Sequence, residues 1–305
     1  MNSSQNNKKI TFAWWNTSLS PKATERPTLD EHKKFVLYTI YQLLTSKEVD
    51  VLCLCEVSNE DIIFISESIE LISSNYIIYN GVINDGRKKF DLCIFYRSDI
   101  LSFIDSSLIS KNSLKTIHAG QEVNFLINET NEPITLYLVH WSSRMYDYES
   151  SPNKIKLGGL LRDAVNESRE KRNIKYIIVL GDFNEEPFDK GLTEGLYASR
   201  DIALVRKTPE LLYNPFWRHM VYSDLHPNHD GSDKSCGTYY YRNDQVNSWK
   251  TFDQIIFSSD FISGNSWFLN ESKTEVFSDK IFMQLIRSTK SKFDHLPIIS
   301  VIERN

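Results

Sequence analysis

Residues Tyr176–Asn184 read YIIVLGDFN, and this stretch decides how the chain is organised. Tyr176 to Leu180 is a continuous apolar run, too short for a helix and rich in β-branched residues, which predicts a buried strand. Gly181 ends it. Asp182 and Asn184 then stand on the loop beyond, where a rigid element presents polar groups at its tip. In isolation such residues are turn formers, so the weight of the reading lies in whether other strands end the same way.

They do. Ile10 to Trp15 reads as a strand ending at Asn16. Val49 to Cys55 is an apolar run ending at Glu56, and Ile134 to Val139 is one ending at His140. Asp294 and His295 directly precede a last strand, Leu296 to Val301. Further strands are predicted at Tyr76 to Tyr79, Phe90 to Tyr96, Val123 to Ile127 and Trp249 to Phe257, separated by turn residues. Asp253 lies inside the last of these runs. An unpaired carboxylate buried in a strand costs several kcal/mol, so Asp253 requires a partner, and a histidine is the natural one.

Helical spacing is confined to a few segments. Phe35, Leu37, Ile40, Tyr41 and Leu44 recur at helical intervals behind a capping box formed by Thr28 and Glu31. Ser58 is positioned to cap a second helix carrying Ile62, Ile65 and Ile69. Ser151 followed by Pro152 opens a third, where proline in the first turn sacrifices no hydrogen bond. Many strands and few helices, with no internal repeat and no low-complexity linker, predict two sheets packed face to face with helices outside. The expected organisation is a flexible tail over Met1–Lys9 and a single domain over residues 10–305.

Composition limits the function classes. The chain has 305 residues, 41% of them hydrophobic and 25% charged, which suits a globular protein with a sizeable core. A net charge of −5 supplies no global basic field, so charge-driven clinging to nucleic acid is not expected. No apolar run approaches the ~18 residues that span a bilayer, and the polar start lacks the core of a signal peptide. The expected location is the cytoplasm. Cys53 and Cys55 point to one face of one strand and are not natural disulfide partners. With Cys93 and Cys236 they are read as reduced.

The ordered set of strand-end residues resembles the endonuclease/exonuclease/phosphatase superfamily, which includes DNase I-like nucleases, deadenylases, sphingomyelinases and inositol phosphatases. Trp15 and Asn16 resemble its first motif, and Leu54 to Val57 the motif that supplies a metal-binding glutamate. Val139 to Trp141 is similar to its histidine motif, and Gly181 to Asn184 match its GDFN signature. Phe252 to Ile255 and Asp294, His295 and Pro297 resemble the last two. The resemblance spans nearly the whole chain and implies an α+β fold, a two-sheet β-sandwich flanked by helices in four α/β/β/α layers.

The resemblance also implies roles. Oxygen ligands from Glu56, with Asn16 and Asp294, suit a hard cation, magnesium, with manganese able to substitute. Asp182 would orient or deprotonate the attacking water, with Asn184 positioning it and the scissile phosphate. His295, held by Asp253, would donate to a nonbridging oxygen, and His140 would donate from the other side. Arg144 is the candidate phosphate clamp, weighed against a solvated surface arginine.

Departures from the pattern narrow the subgroup. Cys55 and Phe293 replace the usual glutamine and serine, and Ser18 stands where some relatives carry another ligand. Glu185 after Asn184, and Gln254 in place of an arginine, argue against inositol 5-phosphatases and tyrosyl-DNA phosphodiesterases. Trp141 to Arg144 lack the asparagine of abasic-site endonucleases. The expected substrate is a phosphodiester of DNA or RNA. The rival is a small-molecule or lipid phosphate, and a different class is an inactive binding module. A second metal at His226, His229 and Asp230 is disfavoured, and the basic runs Arg87–Lys89 and Arg169–Lys175 read as solvated faces. The tyrosines Tyr239, Tyr240 and Tyr241 either stack on a ring-bearing substrate or pack in the core.

Overall fold

The structure, a computed structural model, describes residues 8–20, 30–85, 88–111, 117–222, 234–264 and 266–304. Residues 1–7 of the expected tail, the Thr28 cap, Arg87 and the His226–His229–Asp230 cluster lie outside these. Lys9 already opens the first strand, Lys9–Asn16.

Two mixed sheets form the body. The six-stranded sheet runs, in spatial order, Trp267–Val276, Ile298–Arg304, Lys9–Asn16, Val51–Cys55, Cys93–Arg97 and Tyr76–Asn80. The seven-stranded sheet runs Ala198–Ser199, Leu212–Tyr213, Asp253–Ser258, Tyr176–Asp182, Glu132–His140, Ile117–Ile127 and Leu101–Lys111. Each sheet has one parallel pair at its heart: Lys9–Asn16 beside Val51–Cys55, and Glu132–His140 beside Tyr176–Asp182. Parallel strands end at the same rim, so Asn16 lies opposite Cys55 and Asp182 opposite His140.

The layering follows from the two-residue period of strands. Phe12, Trp14, Cys53, Cys55, Leu136, Leu138, Ile178 and Leu180 point inward and form the core between the sheets. Their neighbours Ala13, Trp15, Leu52 and Leu54 face helices α1 (Asp30–Thr45), α2 (Asn59–Glu70) and, near the end of the chain, Lys280–Arg287. Val139, Ile177 and Val179 face the long helix α3 (Pro152–Arg172) through Leu157, Leu161 and Val165. The result is the expected α/β/β/α order. Each fully buried tryptophan such as Trp14 or Trp15 is worth about 3–5 kcal/mol against truncation to alanine.

Local signals act as the sequence predicts. Ser58 and Asp61 form a reciprocal capping box at the start of α2, and loss of such a cap costs about 1 kcal/mol. Ser151 accepts from the Lys154 N–H at the start of α3, and Asn173 ends that helix in the left-handed conformation. All four cysteines are free thiols. Among the described residues no helix is long and apolar enough to cross a membrane.

Candidate active site

The strand ends meet at one rim of the sandwich. Gly181 allows this: a Cβ there would sit 2.0 Å from the Val139 carbonyl oxygen, so only glycine lets the Asp182 and His140 strands run this close. Beyond the strand ends, Glu56 and Asn184 adopt left-handed backbone conformations with φ of 55° and 49°. Asn tolerates that region and Glu does not readily, so the Glu56 turn is backbone strain located where the site assembles.

Asp182 is the centre. It pairs with His140 across the parallel strand and with Asp253 across the antiparallel one. Its Oδ1 accepts from the Asn184 N–H at 2.9 Å, and its Oδ2 accepts from the Asn16 amide at 3.4 Å. Asn184 in turn donates to the Trp141 carbonyl at 3.1 Å. The Nε2 atoms of two histidines approach Asp182 Oδ2, His295 from the segment before the last strand at 3.7 Å and His140 from the end of its strand at 3.9 Å. These distances exceed a hydrogen bond, so the carboxylate is flanked and not captured.

Each histidine is backed by a carboxylate. Asp253, wholly buried, accepts from His295 Nδ1 at 2.7 Å and from the Trp14 indole at 3.0 Å; the partner that the sequence demanded is there. Burial by itself would lower the His295 pKa, but Asp253, Asp182 and Asp294 together hold it well above its ordinary value. His140 Nδ1 meets Asp91 at 3.0 and 3.2 Å. Asp91 was not singled out from the sequence. The signal is present, since FDLCIF at Phe90–Phe95 mirrors FDQIIF at Phe252–Phe257.

Glu56, Asp294 and Asn16 surround this centre. Glu56 lies 3.8 Å from His140 Nε2, and burial, with Asp294 and Asp91 adding to it against the pull of both histidines, pushes its carboxyl up to about 7. Burial likewise raises Asp294, whose Oδ1 accepts from Ser18 at 3.2 Å. Among the described residues no lysine or arginine forms an ion pair with Glu56, Asp182 or Asp294. An all-oxygen, acidic set flanked by histidines but ion-paired to no described lysine or arginine has the chemistry of a hard divalent cation site. Asp182, Asp253 and His295 also place ligand atoms within 4.8 Å of one another. Both oxygens of Asp253 are already committed to His295 and Trp14, which suits a hydrogen-bonded pair better than a metal cage.

The remaining residues singled out above lie nearby with other attachments. The Arg144 guanidinium donates to Glu149, to Asp189 and to the Asn184 carbonyl. Glu185 is buried and turned inward, accepting from the N–H groups of Ser150 and Gly191. Gln254 is buried beneath it, donating to the Glu185 carbonyl. Lys154, fully buried on α3, donates to the Ser142 and Phe183 carbonyls and so ties the loop after His140 to the loop before Asn184. Sequence reading did not single it out, because a lysine in a helix is ordinarily a surface residue.

A four-layer α/β/β/α sandwich carrying an acidic, histidine-flanked cleft at one rim is the framework of a phosphoester hydrolase class. Residues 21–297 match the Endonuclease/Exonuclease/phosphatase family, and the chain belongs to it. Members of this family hydrolyse phosphoesters and are generally dependent on divalent metal. No curated protein matches the sequence. Solved structures share the fold. The human Nocturnin catalytic domain with bound sulfate is 16% identical, covering 97% of this chain and 95% of that one, at a TM-score of 0.60. D. rerio TDP2 complexed with single-strand DNA product is 15% identical, covering 97% and 99%, at 0.60. The Bacteroides thetaiotaomicron mannosyl-6-phosphatase Bt3783 is 15% identical, covering 96% and 99%, at 0.57.

Proposed function

We propose that this chain is a magnesium-dependent hydrolase of phosphodiester bonds in DNA or RNA, active in the cytoplasm, where its four free thiols are at home. The observation that carries the reading is Asp182, with a carboxylate-backed histidine 3.7 Å away on one side and another 3.9 Å away on the other. Glu56, Asn16 and Asp294 would hold the cation. When bound, it supplies charge neutralisation at the phosphate oxygens and at the leaving oxygen.

The protein groups do the rest. Asp182 takes the proton of the attacking water, and Asn184, fixed by its bonds to Asp182 and Trp141, positions that water and the phosphate. His295, kept protonated by Asp253, donates from Nε2 to a nonbridging oxygen, and His140 donates to another. Arg144 braces the Asn184 loop from its edge.

A second reading, a small phosphate ester as substrate, draws on the basic residues. Arg169 pairs with Asp260, Lys171 with Glu167 and Arg172 with Glu122, so three cations of this run already have anions and the run makes a poor basic track for a long polymer. The deciding experiment incubates the protein and magnesium with supercoiled plasmid, linear DNA, single-stranded RNA and simple phosphate monoesters, with Asp182→Asn as control. Cleavage of a nucleic acid lost in the control is expected. Release of phosphate from monoesters alone overturns the nuclease reading in favour of the second.

A further inference from the structure

Beside Asn184 lies a pocket of about 380 Å³ that the chemistry at Asp182 does not use. Aromatic rings line it. Tyr239 stacks on Phe252, with centroids 5.1 Å apart and planes 19° apart, and on Tyr241 at 6.5 Å and 12°. The row begins at the catalytic rim, because the Tyr239 ring is 4.7 Å from that of His295.

Backbone pairing holds the row in place. Tyr239–Tyr240 pairs with Trp249–Lys250, and it is pinned to the His295 segment by bonds from Tyr240 N–H to the Asp294 carbonyl and from Leu296 N–H to that of Thr238. The two-residue period then divides the tyrosines. Tyr240 turns to the outer core, 4.9 Å from Trp249, while Tyr239 and Tyr241 line the pocket. Core packing thus accounts for one of the three.

Charge indicates what the pocket accepts. The Arg144 guanidinium lies 4.7 Å over the Phe252 ring, but two carboxylates already accept its N–H groups. Lys250 pairs with Asp244 at 3.4 Å. Each cation of the wall has its anion, so the pocket makes no demand for a second phosphate. A flat aromatic lining with matched donors and acceptors at the edge suits a neutral, planar ring. Met145, 88% exposed, and Tyr241, 44% exposed, stand at its mouth as apolar surface that a ligand would cover. The volume suits a single nucleoside and not a duplex.

We propose that this pocket binds the base of the nucleotide next to the scissile phosphate by stacking it on Tyr241, a proposal that rests on the phosphoesterase reading of the adjoining site. The base can arrive on a free nucleotide or within a single strand, and the test separates these sources. Asp182→Asn protein with magnesium is titrated calorimetrically with thymidine 5′-phosphate and with deoxyribose 5-phosphate. It is then titrated with a short single-stranded oligonucleotide and with the same backbone made wholly abasic.

The base-bearing member of at least one pair is expected to bind about 5- to 150-fold tighter, the range for one stacked base. That advantage disappears on adding Tyr241→Ala and survives Tyr241→Phe. An advantage in the mononucleotide pair assigns the base to a free nucleotide, and one confined to the oligonucleotide pair assigns it to a strand. Equal affinity within both pairs, no binding of any ligand, or an advantage that persists in Tyr241→Ala overturns the proposal. Wild-type turnover with magnesium is measured in parallel. A base-dependent affinity without hydrolysis of any phosphoester would sink the enzymatic reading while leaving the pocket assigned.

Discussion

Two Asp–His pairs face each other across Asp182, and they are built differently. Both bridge the two sheets: His140 ends a strand of the seven-stranded sheet and meets Asp91 beside the six-stranded one, while His295 and Asp253 make the reverse exchange. Asp253 divides its two oxygens between separate donors, His295 at 2.7 Å and the Trp14 indole at 3.0 Å, in complete burial. Asp91 turns both oxygens to the one His140 nitrogen, at 3.0 and 3.2 Å. The Asp253–His295 pair is also the more deeply buried, its carboxylate held in place by the Trp14 indole, which strengthens the charge-assisted bond to the imidazole. The His295 pair is therefore the more committed donor of the two.

The comparison can be broken from the centre outward. Asp182→Asn and His295→Ala are each expected to lower turnover by at least about 100-fold, the lower end for general acid–base groups, while the circular dichroism spectrum stays unchanged. Near-normal turnover in either would remove the centre from which both pairs take their meaning.

Asp253→Asn comes next, at about 100-fold, with a diagnostic shift. His295 loses the anion that raises its pKa, so the alkaline limb of the kcat/KM profile moves to lower pH. For stability the sign is fixed too. A histidine raised above its unfolded value of about 6.5 contributes fully below that pH and loses its contribution as pH climbs through the folded pKa. Thermal melts between pH 6 and 9 are expected to show wild type falling faster than Asp253→Asn.

Asp91→Asn is expected to cost less, about 10-fold, which is roughly the 1.5 kcal/mol of one charge-assisted hydrogen bond. A loss equal to that of Asp253→Asn in steady-state assays would erase the distinction between the pairs. The smallest effect concerns Glu56, whose carboxyl sits at about 7. A raised carboxyl costs stability as pH rises from its unfolded value towards 7, and a bound cation offsets that cost. Glu56→Gln is expected to raise the metal-free Tm at pH 8 by about 1–2 °C, near 1 kcal/mol for a chain of this size. It is also expected to blunt the further rise that magnesium produces in wild type. An unchanged magnesium response, followed by scanning calorimetry, would remove Glu56 from the cation site.

What was legible in the sequence shares one property: burial on both faces or an unmistakable cap. The strands around Cys53, Leu136 and Ile178 read directly because both faces meet apolar neighbours, so no polar alternation dilutes the run. The edge strand Leu101–Lys111 escaped, since it is largely exposed and carries Asp105, Ser106 and Ser107. Trp267–Val276 escaped because polar residues interrupt its apolar pattern and a bulge between Asn270 and Glu275 breaks its register. The short helix Lys280–Arg287 was also unread, because eight residues leave too little periodicity. The direction of a charged side chain was not legible either. Glu185, which the sequence marks only as a departure from the family pattern, is turned into the protein to satisfy two backbone N–H groups.

By itself the sequence determined the buried strands, the capped helices, their order and the six motifs, because local propensity and the period of apolar residues are properties of neighbouring positions. The resemblance anticipated that Asp253 holds His295, but only the tertiary structure showed that Asp91, 49 residues away in sequence, backs His140. It also decided that Lys154 joins two loops of the site, that Arg144 is occupied by carboxylates, and that Tyr239 and Tyr241 line a pocket while Tyr240 does not. Distance in space and exclusion of water set those outcomes, and neither is a property of a short stretch of chain.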